Sequence, residues 1–108
     1  KSIAERIASR SATEKRLLEL SRDQEALLEF VKSLDQVHLD GEGLVDSDIA
    51  GLDILSQSLS HLFLNRNFLS RVQSWDVINQ VQYLNLSSNN IESLQGMARL
   101  NKLKALDA

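Results

Sequence analysis

Two histidines, His38 and His61, have the widest chemical range in this sequence, because imidazole ligates metal ions and transfers protons near neutral pH. A zinc or catalytic metal site needs further histidine, cysteine or carboxylate ligands at matching spacing, and none accompanies these two residues. We therefore expect no bound metal ion. The simplest interpretation makes both histidines solvated strand residues with no special role.

A group of acidic residues raises a second possibility, a calcium-binding loop. Asp46, Asp48 and Asp53 lie close to Glu42 along the chain. An EF-hand loop places Asp or Asn at alternate positions, followed by a glycine and by a glutamate at position 12 that closes the loop. This spacing is absent, so we interpret the acidic group as a solvated turn.

The composition argues against catalysis. The chain of 108 residues has no cysteine, which excludes disulfides, thiolate zinc sites and a cysteine nucleophile. It has no glycine-rich phosphate-binding loop and no nucleophile and base at a recognisable spacing. We expect a protein that is not an enzyme, requires no cofactor and takes no small-molecule substrate.

The charge and hydropathy patterns bear on partners and compartment. The 12 basic and 15 acidic residues give a net charge of -3 and form no block of like charge, so we expect no nucleic-acid partner. No apolar run is long enough to predict a membrane segment. A cytoplasmic or nuclear protein is expected, and its oligomeric state stays open.

The apolar residues of the second part of the chain recur with a fixed period. In residues 81–91, apolar side chains occupy positions 1, 4, 6 and 11, and Asn89 occupies position 9. Residues 59–69 fill the same positions 22 residues earlier, with Asn67 as the ninth residue. This pattern predicts a short strand in each period, followed by a corner at which the asparagine amide donates to and accepts from free backbone groups.

Two further copies are imperfect. Residues 34–44 keep the apolar positions but carry Glu42 at position 9, and they form a degenerate first repeat. A last copy begins at Leu103 and reaches only its sixth position at Ala108. We therefore expect the sequence to be part of a longer chain.

The remaining apolar residues of each period indicate a second, convex layer. The members of this layer recur with the same period as the strands, and Gly96 fits a tight corner that enters the layer. One repeat cannot bury these residues alone, so stacked neighbours are expected to stabilise each other. The convex residues are Val72, Trp75 and Ile78 in one copy and Leu94, Met97 and Leu100 in the next.

Residues 1–33 are expected to be helical, because they contain neither glycine nor proline and are rich in strong helix formers. Capping-box patterns that begin at Ser11 and Ser21 predict new helix starts. An apolar stripe, widened by Leu18 and Leu28, predicts a face that covers the first repeat. The stripe consists of Leu17, Leu20, Leu27, Val31 and Leu34.

Residues 34–108 resemble the leucine-rich repeat family, through the 22-residue period, the asparagine at position 9 and the Leu-x-Gly-Met-x-x-Leu ending at 94–100. They are similar to its short intracellular class, which includes a nuclear regulatory subunit of type-1 protein phosphatase. The resemblance implies an α/β repeat fold, a leucine-rich repeat solenoid with short parallel strands on one face, with residues 1–33 as an N-terminal helical cap. It also implies a non-catalytic protein-binding module that acts as a scaffold, adaptor, regulatory subunit or cytoskeletal component.

The partner protein is expected on the outer face of the strands, where positions 3 and 5 of each repeat project. Phe63 and Tyr83 are the preferred anchors, because exposed aromatic rings are enriched at interface centres. In the alternative interpretation, these two rings only shield each other on adjacent strands. The full candidate set is His38, His61, Phe63, Arg66, Tyr83 and Asn85.

Two other functions stay open at this point. Residues 17–34 could form a coiled-coil oligomerisation element, although they hold fewer than three heptads and carry Gln24 at a core position. Alternatively, the repeats could be an accessory region of a larger enzyme whose catalytic part lies elsewhere.

Overall fold

A computed structural model describes all residues of the chain, 1–108. Three α-helices come first: α1 (Ile3–Ser11), α2 (Glu14–Leu20) and α3 (Gln24–Lys32). The helical prediction for residues 1–33 is confirmed. None of the helices combines the length and the apolar character that crossing a bilayer requires.

The helix starts differ from the predicted capping boxes. The box that forms lies at the start of α1 and uses Ser2, while Thr13 caps α2 and Asp23 caps α3. Ser11 is instead the last residue of α1, and Ser21 directly follows α2. The two predicted boxes are therefore wrong, because a threonine or aspartate directly before each first helical turn meets the free amides instead.

Helices α2 and α3 are separate elements. The helix α2 ends at Leu20 after seven residues, and α3 begins at Gln24. A coiled coil needs a continuous helix with several heptads. Residues 17–34 therefore do not form one continuous helix.

The chain is an α/β protein with a four-stranded parallel sheet. Each strand has three residues: β1 (Gln36–His38), β2 (His61–Phe63), β3 (Tyr83–Asn85) and β4 (Ala105–Asp107). They pair in chain order, and β2, β3 and β4 begin at the same position of successive sequence periods, as predicted. This register places Gln36, His61, Tyr83 and Ala105 side by side.

Segments of 3-10 helix connect the strands and pack against one another in a second row. They span Asp46–Ile54, Trp75–Ile78 and Met97–Arg99. Gly96 precedes the last of them with a φ of 89°, a conformation that favours glycine. A Cβ atom at this position would lie 3.0 Å from Cδ1 of Trp75, so the corner predicted at Gly96 is confirmed.

One hydrophobic cluster joins the helices to the sheet. Ile7 of α1 and Val31 of α3 are fully buried in the same cluster as Leu62 and Leu84 of the strands. Trp75, which was predicted to be a buried convex residue, belongs to the same cluster and is 1% exposed. The helical segment is therefore continuous with the core of the sheet.

Two apolar residues that were expected to be covered are exposed. Leu18 of α2, predicted to widen the buried stripe, keeps 55% of its surface. Leu94, predicted as a convex residue, keeps 45% of its surface and lies just before the last 3-10 segment. Both residues leave apolar surface in contact with water.

Two asparagines hold the corners after β2 and β3. Asn67 is buried; its Oδ1 accepts from the amides of Glu42 and Leu44, and its Nδ2 donates to the carbonyls of Leu39 and Leu64. Asn89 donates from Nδ2 in the same way, and its Oδ1 accepts from the Leu69 amide. The predicted corner role of the two asparagines is confirmed, and Asn67 also bonds to the backbone of Leu39, Glu42 and Leu44 in the segment after β1.

Candidate functional site

The outer side chains of the four strands share one face of the sheet. Val37, Leu62 and Leu84, in the middle of β1, β2 and β3, are buried, whereas the residues on either side of them are half-buried or exposed. Alternation along a strand explains this pattern. We call this surface the strand face; it consists of Gln36, His38, His61, Phe63, Tyr83, Asn85, Ala105 and Asp107.

Four rings on the strand face form a continuous stack. His38 and Phe63 are parallel to within 2°, with centroids 4.4 Å apart, and His61 and Tyr83 lie 4.3 Å apart at 18°. His61 and Phe63, on the same strand, join the two pairs at 6.4 Å and 19°. We call these four residues the ring stack. Stacked rings of this geometry stabilise each other beyond the area they bury.

The alternative in which Phe63 and Tyr83 shield each other is not what the structure contains. The register sets Phe63 opposite Asn85 and Tyr83 opposite His61, so the two rings lie diagonally. Each stacks on a histidine instead. His38 and His61 are both half-buried and stack on Phe63 and Tyr83, so neither ring is fully solvated.

The Ser60 hydroxyl contacts the ring of His61. The Ser60 hydroxyl donates to the carbonyl oxygen of Asp35 at 3.0 Å and lies 2.8 Å from Nδ1 of His61. The contact ties the His61 ring to the residues directly before β1 and β2.

The polar candidates, Arg66 and Asn85, are engaged within the chain. Arg66 pairs with Asp40 at 3.2 Å, and Asp40 also binds Arg10 of α1 at 2.8 Å. Asn85 accepts from both the amide and the hydroxyl of Ser87. Arg66 is nevertheless 65% exposed in its side chain, so it borders the strand face while it helps to attach α1.

The electrostatics of Asp40 follow from these contacts. Burial alone raises the pKa of its carboxyl, but hydrogen bonds from its own backbone amide, from Arg10 and from Arg66 outweigh burial. The net pKa lies below the ordinary aspartate value. The ionised carboxylate is therefore the form that joins α1 to the loops after β1 and β2.

Asp46 has a structural role that the sequence did not reveal. Its carboxylate accepts from the amides of Ser70 and Arg71 and from the Ser70 hydroxyl. Burial raises the pKa of Asp46, and these hydrogen bonds outweigh burial and lower it. The acidic group is thus more than a solvated turn, because Asp46 binds the backbone of the turn after β2. The only sequence signal for this contact is that Ser70 follows Asp46 by 24 residues.

A second residue missed from the sequence is Phe68, which is 71% exposed in the turn after β2. It lies outside the strand face. Its exposure makes it a natural reference for rings that do not belong to the ring stack.

A shallow cavity of about 260 Å³ opens on the strand face between β2, β3 and β4. Tyr83, Ala105 and Asp107 are among its lining residues. Two larger recesses, of about 450 and 560 Å³, lie beside the 3-10 row and the last turn. Only the smaller cavity touches the ring stack.

The arrangement offers aromatic and polar contact surface. No cluster of three or more histidine, cysteine or acidic side chains is placed to hold a metal ion. Comparisons with protein-family models, curated proteins and solved structures found no match to this chain.

Proposed function

We propose that the chain is a leucine-rich repeat solenoid that acts as a non-catalytic binding module for another protein, with the strand face as the contact surface. The observation that carries this proposal is the ring stack, which crosses three neighbouring strands. Rings that a fold leaves accessible are costly in water and are enriched at the centres of interfaces. Such a module serves as a scaffold, adaptor or regulatory subunit, in the cytoplasm or nucleus.

The equivalence of successive turns supports the repeat part of the proposal. Asn67 and Asn89 occupy position 9 of successive periods, and both donate from Nδ2 to the carbonyl of Leu64. Arg66 and Ser88, which occupy position 8 of the same two periods, both have a positive φ, at 58° and 57°. The stacked coils of a solenoid require the same backbone bend at the same position of each period.

The shape of the strand face supports a protein as the partner. Its three-residue strands present a row of side chains with one shallow cavity rather than an enclosed pocket. Small-molecule sites usually surround most of their ligand. A folded domain or an extended segment of another protein covers such a row better.

The proposal is tested by affinity capture from cell extract, with the parent chain and the double variant Phe63→Ala, Tyr83→Ala as baits. We expect a protein that the parent captures and the double variant does not. Phe68→Ala is the matched control, because it removes an exposed ring outside the strand face. Circular dichroism establishes that each bait is folded.

Equal capture of the same protein by the parent and by the folded double variant would reject the strand face as the contact surface. Loss of capture with Phe68→Ala alone would move the site to the turn after β2.

A further inference from the structure

The ring stack ends at Tyr83. Its ring stacks on His61 toward β2, but its neighbour toward β4 is Ala105, whose methyl group is too small to cover a ring. Tyr83 is accordingly 37% exposed. The face of the ring directed toward β4 is therefore available to another planar group.

The cavity of about 260 Å³ lies at this step and has room for one long side chain. Asp107 lines it, two residues after Ala105 and thus on the same side of β4. No lysine or arginine is among the lining residues. The cavity therefore combines an open aromatic face with a carboxylate and lacks a competing cation from the protein.

We propose that this cavity receives an arginine side chain of the partner protein, with the guanidinium stacked on Tyr83 and paired with Asp107. The inference rests on the proposed function and names the chemistry of the partner. A guanidinium is planar, stacks on aromatic rings and binds a carboxylate with two parallel hydrogen bonds. The guanidinium therefore adds one planar group to the ring stack, at the position where the small side chain of Ala105 ends the stack.

The test is an NMR titration of the isotopically labelled chain with N-acetyl-arginine methylamide. We expect saturable shifts of the Tyr83 ring and of the Ala105 and Asp107 amides. The citrulline analogue has the same shape without the charge, and the lysine analogue carries the charge without the plane; both are expected to bind about three- to tenfold more weakly.

Asp107→Asn is expected to weaken arginine binding by a similar factor. Asp53→Asn, which removes the charge of an exposed carboxylate away from the strand face, is the matched control and is expected to change nothing. Tyr83→Leu removes the aromatic face but keeps an apolar side chain, and it is expected to weaken binding as well.

Several results would overturn the inference. These are shifts elsewhere on the chain, no saturation at the solubility limit, or binding of the citrulline or lysine analogue equal to that of arginine. Shifts at Tyr83 and Asp107 that grow with protein concentration alone would show that a second copy of the chain occupies the cavity. This result would also reject the arginine inference.

The arginine inference can be wrong while the proposed function is right, and the experiments distinguish the two cases. A protein captured by Asp107→Asn but lost with the double variant of Phe63 and Tyr83 would keep the strand face as the binding surface while removing the arginine. Binding of N-acetyl-arginine methylamide at Tyr83, together with unchanged capture of the protein by the double variant, would support the arginine site and reject the strand face as the surface that binds the captured protein.

Discussion

At the scale of single residues, the corner asparagines show how one side chain replaces missing backbone hydrogen bonds. Asn67 accepts from two amides through Oδ1 and donates to three carbonyls through Nδ2. The carbonyls of Leu64 and Asn65 also accept from Asn89 and from the Gly41 amide, whereas the amides of Glu42 and Leu44 donate to Asn67. The loss of this amide leaves buried donors and acceptors without partners.

Asn67→Ala is therefore expected to lower the free energy of unfolding by about 1 to 3 kcal/mol. Urea denaturation measures the change. Asn90→Ala, at an exposed position, is the control and should stay within about 0.5 kcal/mol of the parent. Equal stability of the two variants would contradict the corner role of Asn67.

The acid sensitivity of the fold is also set by single residues. Asp46 has a folded-state pKa below the ordinary value, so its carboxylate stabilises the fold above the unfolded pKa, near 4, and this contribution is lost as the pH falls through the folded pKa. Asp46→Asn is expected to be less stable than the parent at neutral pH and to approach it in acid. Urea denaturation across this pH range measures the difference.

Asp53→Asn is the matched control for the acid series, because its carboxylate is exposed. It should follow the parent at every pH. A constant difference between Asp46→Asn and the parent from neutral pH into acid would show that ionisation of Asp46 does not contribute.

At the scale of elements, the short strands depend on the layer beneath them. Leu62 of β2 is 1% exposed and lies between Val37 and Leu84 in the register. Leu62→Ala is expected to cost about 2 to 5 kcal/mol, because a buried leucine leaves a cavity that the sheet cannot fill. Thermal or urea denaturation measures this loss.

Leu18→Ala removes the same number of atoms from an exposed position of α2 and is expected to cost less than about 0.5 kcal/mol. Similar losses for the two leucine variants would contradict the assigned register of β2.

Some of these elements could be predicted from the sequence and others could not. The strands and the corner asparagines could be predicted because the sequence period repeats their physical environment. The helix caps could not be located reliably, because Ser11 and Ser21 match a capping box as well as Thr13 and Asp23 match simple caps.

Five residues of the strand face were predicted from the sequence, but their stacking was not; they are His38, His61, Phe63, Tyr83 and Asn85. The parallel register sets His38 beside Phe63 and His61 beside Tyr83. The alternative interpretation instead paired Phe63 with Tyr83, which are not register partners. The contacts of Asp46 and Arg66 depend on loop geometry, which the period does not specify.

At the scale of the whole molecule, one hydrophobic cluster connects α1 and α3 with the sheet. Salt bridges from Arg10 to Asp40 and Glu42 add a second connection between α1 and the loop after β1. The helices and the sheet are therefore expected to unfold together.

Far-UV circular dichroism reports mainly the three α-helices, and the fluorescence of Trp75 reports the second row of the sheet region. Coincident thermal transitions are expected from these two probes. An earlier helical transition with Trp75 still buried would make residues 1–33 an independent unit.

The most direct test of the strand face as a binding surface is an aromatic NMR spectrum with and without the captured partner. The chain has seven rings, from three phenylalanines, two histidines, one tyrosine and one tryptophan, so each is resolvable. We expect the signals of His38, His61, Phe63 and Tyr83 to shift while Phe68 and Trp75 stay in place. Shifts of Phe68 or Trp75, with the four stacked rings unchanged, would place the partner elsewhere and contradict the proposal.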